Sequence, residues 1–277
     1  MPELPDVETF KRYLDATSLQ QRIVDVDVRN AYVLKGVSTR ELARELKGRR
    51  FESSCRHGKN LFVRTDGNLW LRLHFGMTGF LRYSKGEEKA RRPTSAKASA
   101  GRHARVLFIF EKNRRLAFDD QRMFGEIGLV KHVDEFLKKR GLGPDALDVD
   151  LAQFKNIFAK HRGAVKSILL NQKLIAGIGN IYADEILFRV CMHPATQTSA
   201  LKEKAVAKIF RATRYILQKA IEAKADVDGM PKSWLLPHRG KGGKCPRCGR
   251  ELKSATIGGR TAWFCAHCQR RSAAGGT

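Results

Sequence analysis

With 277 residues, 42% of them hydrophobic, the chain is long enough for two modest domains, each with its own core. Lysine and arginine number 53 against 28 acids, a formal charge of +25 and a pI near 10.2, which excludes an ordinary near-neutral enzyme and points to a polyanionic partner. The basic residues run through the whole chain, so a folded nucleic-acid surface is expected in preference to a basic arm or an acidic-membrane surface. No apolar run reaches transmembrane length and the first residues lack a signal-peptide pattern, so the protein is expected to be cytoplasmic, with no membrane association.

The chain starts Met1-Pro2-Glu3-Leu4-Pro5-Asp6-Val7-Glu8-Thr9. Removing Met1 would leave a secondary amine beside a carboxylic acid, a terminus able to form an imine and titrating near the α-amino range. Pro5 suits a helix start, Asp6 and Glu8 complement the positive end of its dipole, and Val7, Phe10 and Leu14 give it an apolar stripe. On these residues alone, an acidic helix start without chemistry is the favoured reading. Val24, Val26 and Val28 then alternate with polar residues, as in a strand with one buried face. Asn60 to Arg64 and Asn68 to His74 flank Thr65-Asp66-Gly67 and predict a hairpin turned at Asp-Gly; Val106 to Phe110 and Arg115 to Phe118 repeat the arrangement around Lys112-Asn113. Glu126 to Val130 adds a strand, and the whole predicts a β-sandwich. Ser84 to Gly101 has no apolar period and is expected to be a mobile basic loop.

Residues 138–149, with Gly141, Gly143 and Pro144, predict a linker between an N-terminal domain of 1–137 and a helical domain of 150–240. Ala164, Val165, Ile168 and Leu169 line one helix, Tyr182, Ala183, Ile186, Leu187 and Val190 another, and Leu201 through Ala220 a third. The first two are separated by Asn171 to Gly179, too long for a tight turn, with Asn180 as a candidate N-cap: a helix, two turns and a helix. Residues 241–277 hold Cys245-Pro246-Arg247-Cys248 and Cys265-Ala266-His267-Cys268. Paired knuckles at this spacing predict a structural tetrathiolate site for one Zn2+, with no open position for catalytic water; His267 could replace a sulfur but is not needed. Ile257-Gly258-Gly259-Arg260 predicts a hairpin between the knuckles with Arg260 near its tip, and Cys55 and Cys191 are expected to be buried thiols.

Taken with that zinc pattern, Pro2-Glu3-Leu4-Pro5, Gly58-Lys59, His74-Phe75-Gly76-Met77-Thr78-Gly79, Arg122-Met123-Phe124-Gly125 and Gly177-Ile178-Gly179-Asn180-Ile181-Tyr182 make nearly the whole chain resemble the formamidopyrimidine-DNA glycosylases, bifunctional base-excision repair enzymes. The resemblance implies an α+β protein: an N-terminal β-sandwich with an N-terminal helix, then a helix-two-turn-helix domain and a zinc hairpin, with damaged double-stranded DNA bound between the domains by a monomer. It implies Pro2 as nucleophile, Glu3 as the acid at the sugar ring oxygen and Lys59 as a catalytic cation. Met77, Arg122 and Phe124 would fill the stack that an extruded nucleotide vacates, and Asn180 and Arg260 would grip phosphates. His74 and His103 are weaker DNA-binding candidates, since a lone strand histidine is more often structural. Met77 and Phe124, without the resemblance, would be assigned to strand-end core packing.

Three positions depart from the family pattern. Asp6 stands where glutamate is common, Met123 stands where a second basic residue often follows the arginine, and 226–244 replaces the longer glycine- and threonine-rich loop of the 8-oxoguanine enzymes. Strand cleavage is therefore better supported than any one lesion. The competing expectations are a catalytically inactive zinc-ribbon DNA-binding protein of the same fold and a basic RNA-associated protein; Pro2, Glu3 and Lys59 together favour the enzyme.

Overall fold

The computed structural model describes residues 1–86 and 102–270, in two compact units that divide between Gly141 and Leu142. In the first, helix α1 (Leu4–Ser18) precedes strand β1 (Ile23–Val28), helix α2 (Thr39–Leu46) and strands β2 (Phe51–His57), β3 (Asn60–Thr65), β4 (Trp70–His74), β5 (Phe80–Lys85), β6 (Ala104–Phe110), β7 (Arg114–Asp119) and β8 (Glu126–Val130), then helix α3 (Val133–Arg140). The strands form two four-stranded antiparallel sheets, ordered β1-β6-β7-β5 and β2-β3-β4-β8. One apolar core joins them: Val7, Phe10 and Leu14 of α1 and Leu42 and Leu46 of α2 bury against Phe51, Leu61, Leu73, Phe108 and Phe118 from both sheets. Fully burying each such side chain contributes about 1.5–3 kcal/mol, which is what holds α1, and with it the chain start, against the sandwich.

Local geometry refines several expectations. Val24 is exposed, because the β1/β6 register shifts between Ile23 and Asp25 and places Ile23 and Val26 inward instead. The β3–β4 turn takes its left-handed residue at Asn68 and not at Gly67, with Thr65 N–H donating to Leu69 O at 2.8 Å. Helix α2 adds an element that the strand periodicity does not predict; its sequence signal is the capping box of Ser38 and Glu41. Of the expected basic loop, Ser84 and Lys85 finish β5, and 87–101 lie outside the described residues.

The second unit contains helices α4 (Leu151–Lys160), α5 (Val165–Leu170), α6 (Asn180–Arg189) and α7 (Glu203–Glu222), followed by the hairpin of β9 (Lys253–Ile257) and β10 (Arg260–Phe264). The stretch 138–149 is not a plain linker: it begins as the last turn of α3, and Asp145 bridges to Ala176 beside buried Ala146 and Val149. Gly179, not Asn180, is the N-cap of α6, because Asn180 has already entered the helix. Segment 226–244 is ordered into short 3-10 turns at Val227–Gly229 and Leu236–His238, with Met230, Trp234 and Leu235 buried. Cys191 is exposed and Cys55 half-buried, contrary to expectation; Cys191 lies past the end of α6 in a left-handed conformation (φ 56°). The tail from 271 onward lies outside the described residues. Among the described residues no helix is long and apolar enough to cross a membrane.

Candidate active site and nucleic-acid interface

The chain start is fixed by side chains of its own helix. Glu3 is the N-cap of α1 and is buried, and its N–H donates to Asp6 Oδ2 at 2.9 Å. Burial pushes the Asp6 carboxyl up to about 7, against the pull of that N–H. Pro2 is partly accessible and carries exposed Met1, so its nitrogen is here a tertiary amide with no nucleophilic lone pair. Lys59, half-buried, occupies the second position of the two-residue β2–β3 turn, after Gly58 at φ 56°, the position where a type II′ hairpin favours glycine. Arg56 ties this turn to α1, donating to Glu8 Oε2 at 3.1 Å and to Gly58 O at 3.2 Å. One buried guanidinium thus links the helix that carries Pro2 and Glu3 to the turn that carries Lys59.

His74 ends β4, paired with Asn60 and Glu126 on the flanking strands. Burial, with the nearby cations of Arg72 and Lys59, lowers its pKa to about 4, so the ring is neutral at pH 7. Its Nδ1 accepts from Gly76 N–H at 3.2 Å, which leaves the proton on Nε2 as a donor. Arg72 donates to Asn60 Oδ1 at 3.0 Å and to Glu126 Oε2 at 2.6 Å, bracing the same three strands. Burial raises the Glu126 pKa, but the Arg72 contact outweighs it and the carboxyl stays below its ordinary range.

Met77 and Phe124 are not core residues. Met77 caps the turn Phe75–Gly79 with 39% of its surface exposed, and Phe124 in the β7–β8 loop is 51% exposed. Arg122 is exposed beside Phe124, its guanidinium carbon 5.0 Å from the ring centroid. Met123 between them takes φ 56°, packs on the core and accepts from Asn30 Nδ2 through its sulfur, so turning one side chain inward sends its two neighbours outward. Gly76 is required here: a Cβ on it would lie 2.3 Å from the Phe124 carbonyl carbon, so the Met77 and Phe124 loops touch backbone to backbone. His103 lies at the foot of β6, half-buried, with its main-chain oxygen accepting from Asp120 N–H at 2.9 Å.

In the second unit, Asn180 Nδ2 donates to Thr261 O of the β9–β10 hairpin at 2.9 Å, so part of the amide expected to meet phosphate is used inside the unit; its Oδ1 is buried without a partner. Lys166, fully buried, donates to Asp184 Oδ1 at 2.6 Å and Thr261 O at 3.2 Å, while Asp184 Oδ2 accepts from Arg239 Nε at 2.9 Å and Trp263 N–H at 3.0 Å. These bonds anchor the hairpin and the 226–244 segment to α5 and α6. Arg260, exposed, follows the Gly258-Gly259 turn, in which both glycines have positive φ as a type I′ hairpin needs.

The four sulfurs of Cys245, Cys248, Cys265 and Cys268 all lie within 4.8 Å of one another, with Cys248–Cys265 at 3.5 Å and Cys245–Cys268 at 3.9 Å. Zinc bonds of about 2.3 Å in a tetrahedron put sulfurs about 3.8 Å apart, so the set fits one structural Zn2+. Arg247, inside the first knuckle, donates to Phe188 O at 2.8 Å and lies over the Phe188 ring, seating the knuckle on α6. Neither Lys166 and Asp184 nor Arg72 and Glu126 stood out in the sequence; each is a charged residue within a regular element, and only the fold shows that it is buried.

The chain thus combines a β-sandwich that starts on a fixed N-terminal helix with a helix-two-turn-helix and a tetrathiolate hairpin, and comparison with known proteins gives this combination its class. The formamidopyrimidine-DNA glycosylase N-terminal domain matches residues 1–127, the H2TH domain of the same enzymes matches 141–230, and the zinc finger found in FPG and IleRS matches 242–271. Formamidopyrimidine-DNA glycosylases of Solibacter usitatus and Bacillus subtilis are each 33% identical to the chain, covering 98% of it and 100% of their own length. The Lactococcus lactis enzyme non-covalently bound to DNA containing an AP site superposes with TM-score 0.84 at 29% identity, over 97% of this chain and 100% of that one. The same enzyme with DNA containing N7-benzyl-Fapy-dG gives 0.83. The chain belongs to the formamidopyrimidine-DNA glycosylase family: it is a zinc-finger DNA-repair enzyme, a DNA glycosylase and AP lyase.

Proposed function

We propose that the protein extrudes an oxidised base from duplex DNA, removes it through a Schiff base on Pro2 and cleaves the strand by β,δ-elimination. The observation that carries this reading is the fixed chain start, where the Glu3 N–H to Asp6 bond holds Pro2 and Glu3 at the head of α1. After loss of Met1, the Pro2 nitrogen attacks C1′, the glycosidic bond breaks, and the base departs with its bonding electrons and takes up a proton. Glu3 delivers a proton to the ring oxygen as the sugar opens, leaving an iminium. The iminium acidifies the C2′ proton; its loss expels the 3′ phosphate, and a second elimination expels the 5′ phosphate. Lys59, tied to the same helix through Arg56, presents a cation toward the reacting nucleotide.

Met77, Arg122 and Phe124 take the space of the extruded nucleotide, and His74 offers its Nε2 proton to a phosphate as a neutral donor. His103 adds a further contact to the DNA backbone, and Asn180 and Arg260 grip phosphates on the helix-two-turn-helix and the zinc hairpin. The protein acts as a monomer in the cytoplasm, without membrane association. A binding protein that has lost catalysis would have no use for an acid held beside a terminal proline. Borohydride trapping decides between the two: the processed protein should form a covalent complex with damaged DNA, and Pro2→Gly or a retained N-terminal residue should abolish it. Full trapping by the blocked form would remove Pro2 from this role.

A further inference from the structure

The proposed function sends three exposed side chains of the first unit into the duplex, and one buried carboxyl group touches both loops that bear them. Asp120 follows β7 and is fully buried. Its Oδ1 accepts from Thr78 Oγ1 at 2.5 Å and from Arg122 N–H at 3.2 Å, and its Oδ2 accepts from Gly125 N–H at 2.6 Å. Thr78, while donating to Asp120, also accepts from Arg122 N–H at 3.0 Å. The backbone of the same corner is held separately, by Arg105 Nε on Asp120 O at 2.7 Å. Thr78 is the immediate neighbour of Met77, and Arg122 and Gly125 bracket Phe124.

We propose that Asp120 is a positioning residue which, through Thr78, locks the Met77 turn and the Arg122–Phe124 loop into one preset wedge for the vacated base stack. The proposal rests on the assignment of Met77, Arg122 and Phe124 to that stack. Surface loops are ordinarily mobile, and three side chains from two loops must arrive together to fill one base-sized gap. Here the fit is set before DNA arrives. The loops touch at Gly76, Met123 is drawn inward, and a Cβ at position 125 would meet Asp120 Oδ2 at 2.9 Å, so the carboxyl and both glycines form one close-packed corner. An asparagine at position 120 keeps the shape but must place its NH2 where Oδ2 faces Gly125 N–H or where Oδ1 faces Arg122 N–H, so one of the two accepted backbone bonds becomes a donor–donor contact and one side of the clamp is lost.

The experiment compares single-turnover excision of an oxidised base opposite cytosine with cleavage at a preformed abasic site, and follows stack opening with 2-aminopurine beside the lesion. Asp120→Asn and Thr78→Val should slow excision and delay the fluorescence change by about tenfold, as expected for the loss of well-placed hydrogen bonds. Cleavage of the preformed abasic site, which has no base to extrude, should slow by less than about threefold. Thr78→Ser, which keeps the hydroxyl, should restore excision. Wild-type excision by both Asp120→Asn and Thr78→Val, or an equal loss on both substrates, overturns the proposal. If thermal unfolding shows Asp120→Asn to be unfolded, Thr78→Val decides alone. Arg122→Ala and Phe124→Ala serve as controls: if they slow excision while the Asp120 and Thr78 variants do not, the clamp fails alone; if they too leave it unchanged, the assignment of the wedge fails.

Discussion

Glu185 on α6 offers a test in which the structure sets both sign and size. Its carboxyl is buried and accepts from Leu236 N–H at 2.8 Å, which pins segment 226–244 to α6. Burial pushes its pKa up from 4.5 to about 7, although the N–H groups of Leu236 and Leu235 and the charges of Arg247 and Arg189 pull it down. Between these two values the unfolded chain has released the proton that the folded protein retains, so stability falls as pH rises through this window and levels off above about 7. At about 1.4 kcal/mol for each pH unit between the two midpoints, the loss comes to about 3 kcal/mol, a large part of a domain stability of about 5–15 kcal/mol. Glu185→Gln keeps an acceptor for Leu236 and cannot ionise. Urea unfolding from pH 5 to pH 8, followed by the fluorescence of buried Trp234, should show wild-type stability declining relative to the variant, with both slopes unchanged. Other groups titrate in both proteins and cancel in the comparison. Parallel curves for wild type and Glu185→Gln would refute the reasoning.

Zinc should support DNA binding and not the chemical step: Cys248→Ser, or chelation, should release the metal, disorder the hairpin that carries Arg260 and weaken affinity for abasic DNA by about tenfold or more. A zinc-free protein with an intact hairpin and full affinity would contradict this. Arg122 presents only donors, so it should favour cytosine, with acceptors O2 and N3, over adenine as the opposite base, by about 1–3 kcal/mol or roughly tenfold and above. Single-turnover excision of one lesion opposite each base, with Arg122→Ala alongside, measures this; an unchanged preference in the variant removes Arg122 from the role. His74, neutral above about pH 4, should contribute no step to the pH dependence of DNA binding between pH 5 and 8, which His74→Gln tests by leaving that profile unshifted.

What the sequence determined by itself is whatever depends on local chemistry and spacing. Two CxxC knuckles specify a tetrathiolate site because each brings two sulfurs to one ion, and the structure gathers all four. Gly258-Gly259 specifies a tight hairpin because both positions need positive φ, and the β-strand at Glu126 to Val130 was legible from its apolar pattern. Family membership was legible because several short motifs occur in order along nearly the whole chain. Tertiary structure alone decided the rest. Val24 faces solvent because a register shift in one strand pair moves the alternation, which the valines cannot announce. Met77 and Phe124 have the composition of core residues and are exposed because Gly76, Met123 and Asp120 close the two loops on each other. Asp120, Lys166, Asp184 and Glu185 read as ordinary charged residues among many. Their burial, and so the strength of their hydrogen bonds and the direction of the Glu185 pKa, exists only once distant segments have packed around them and excluded water.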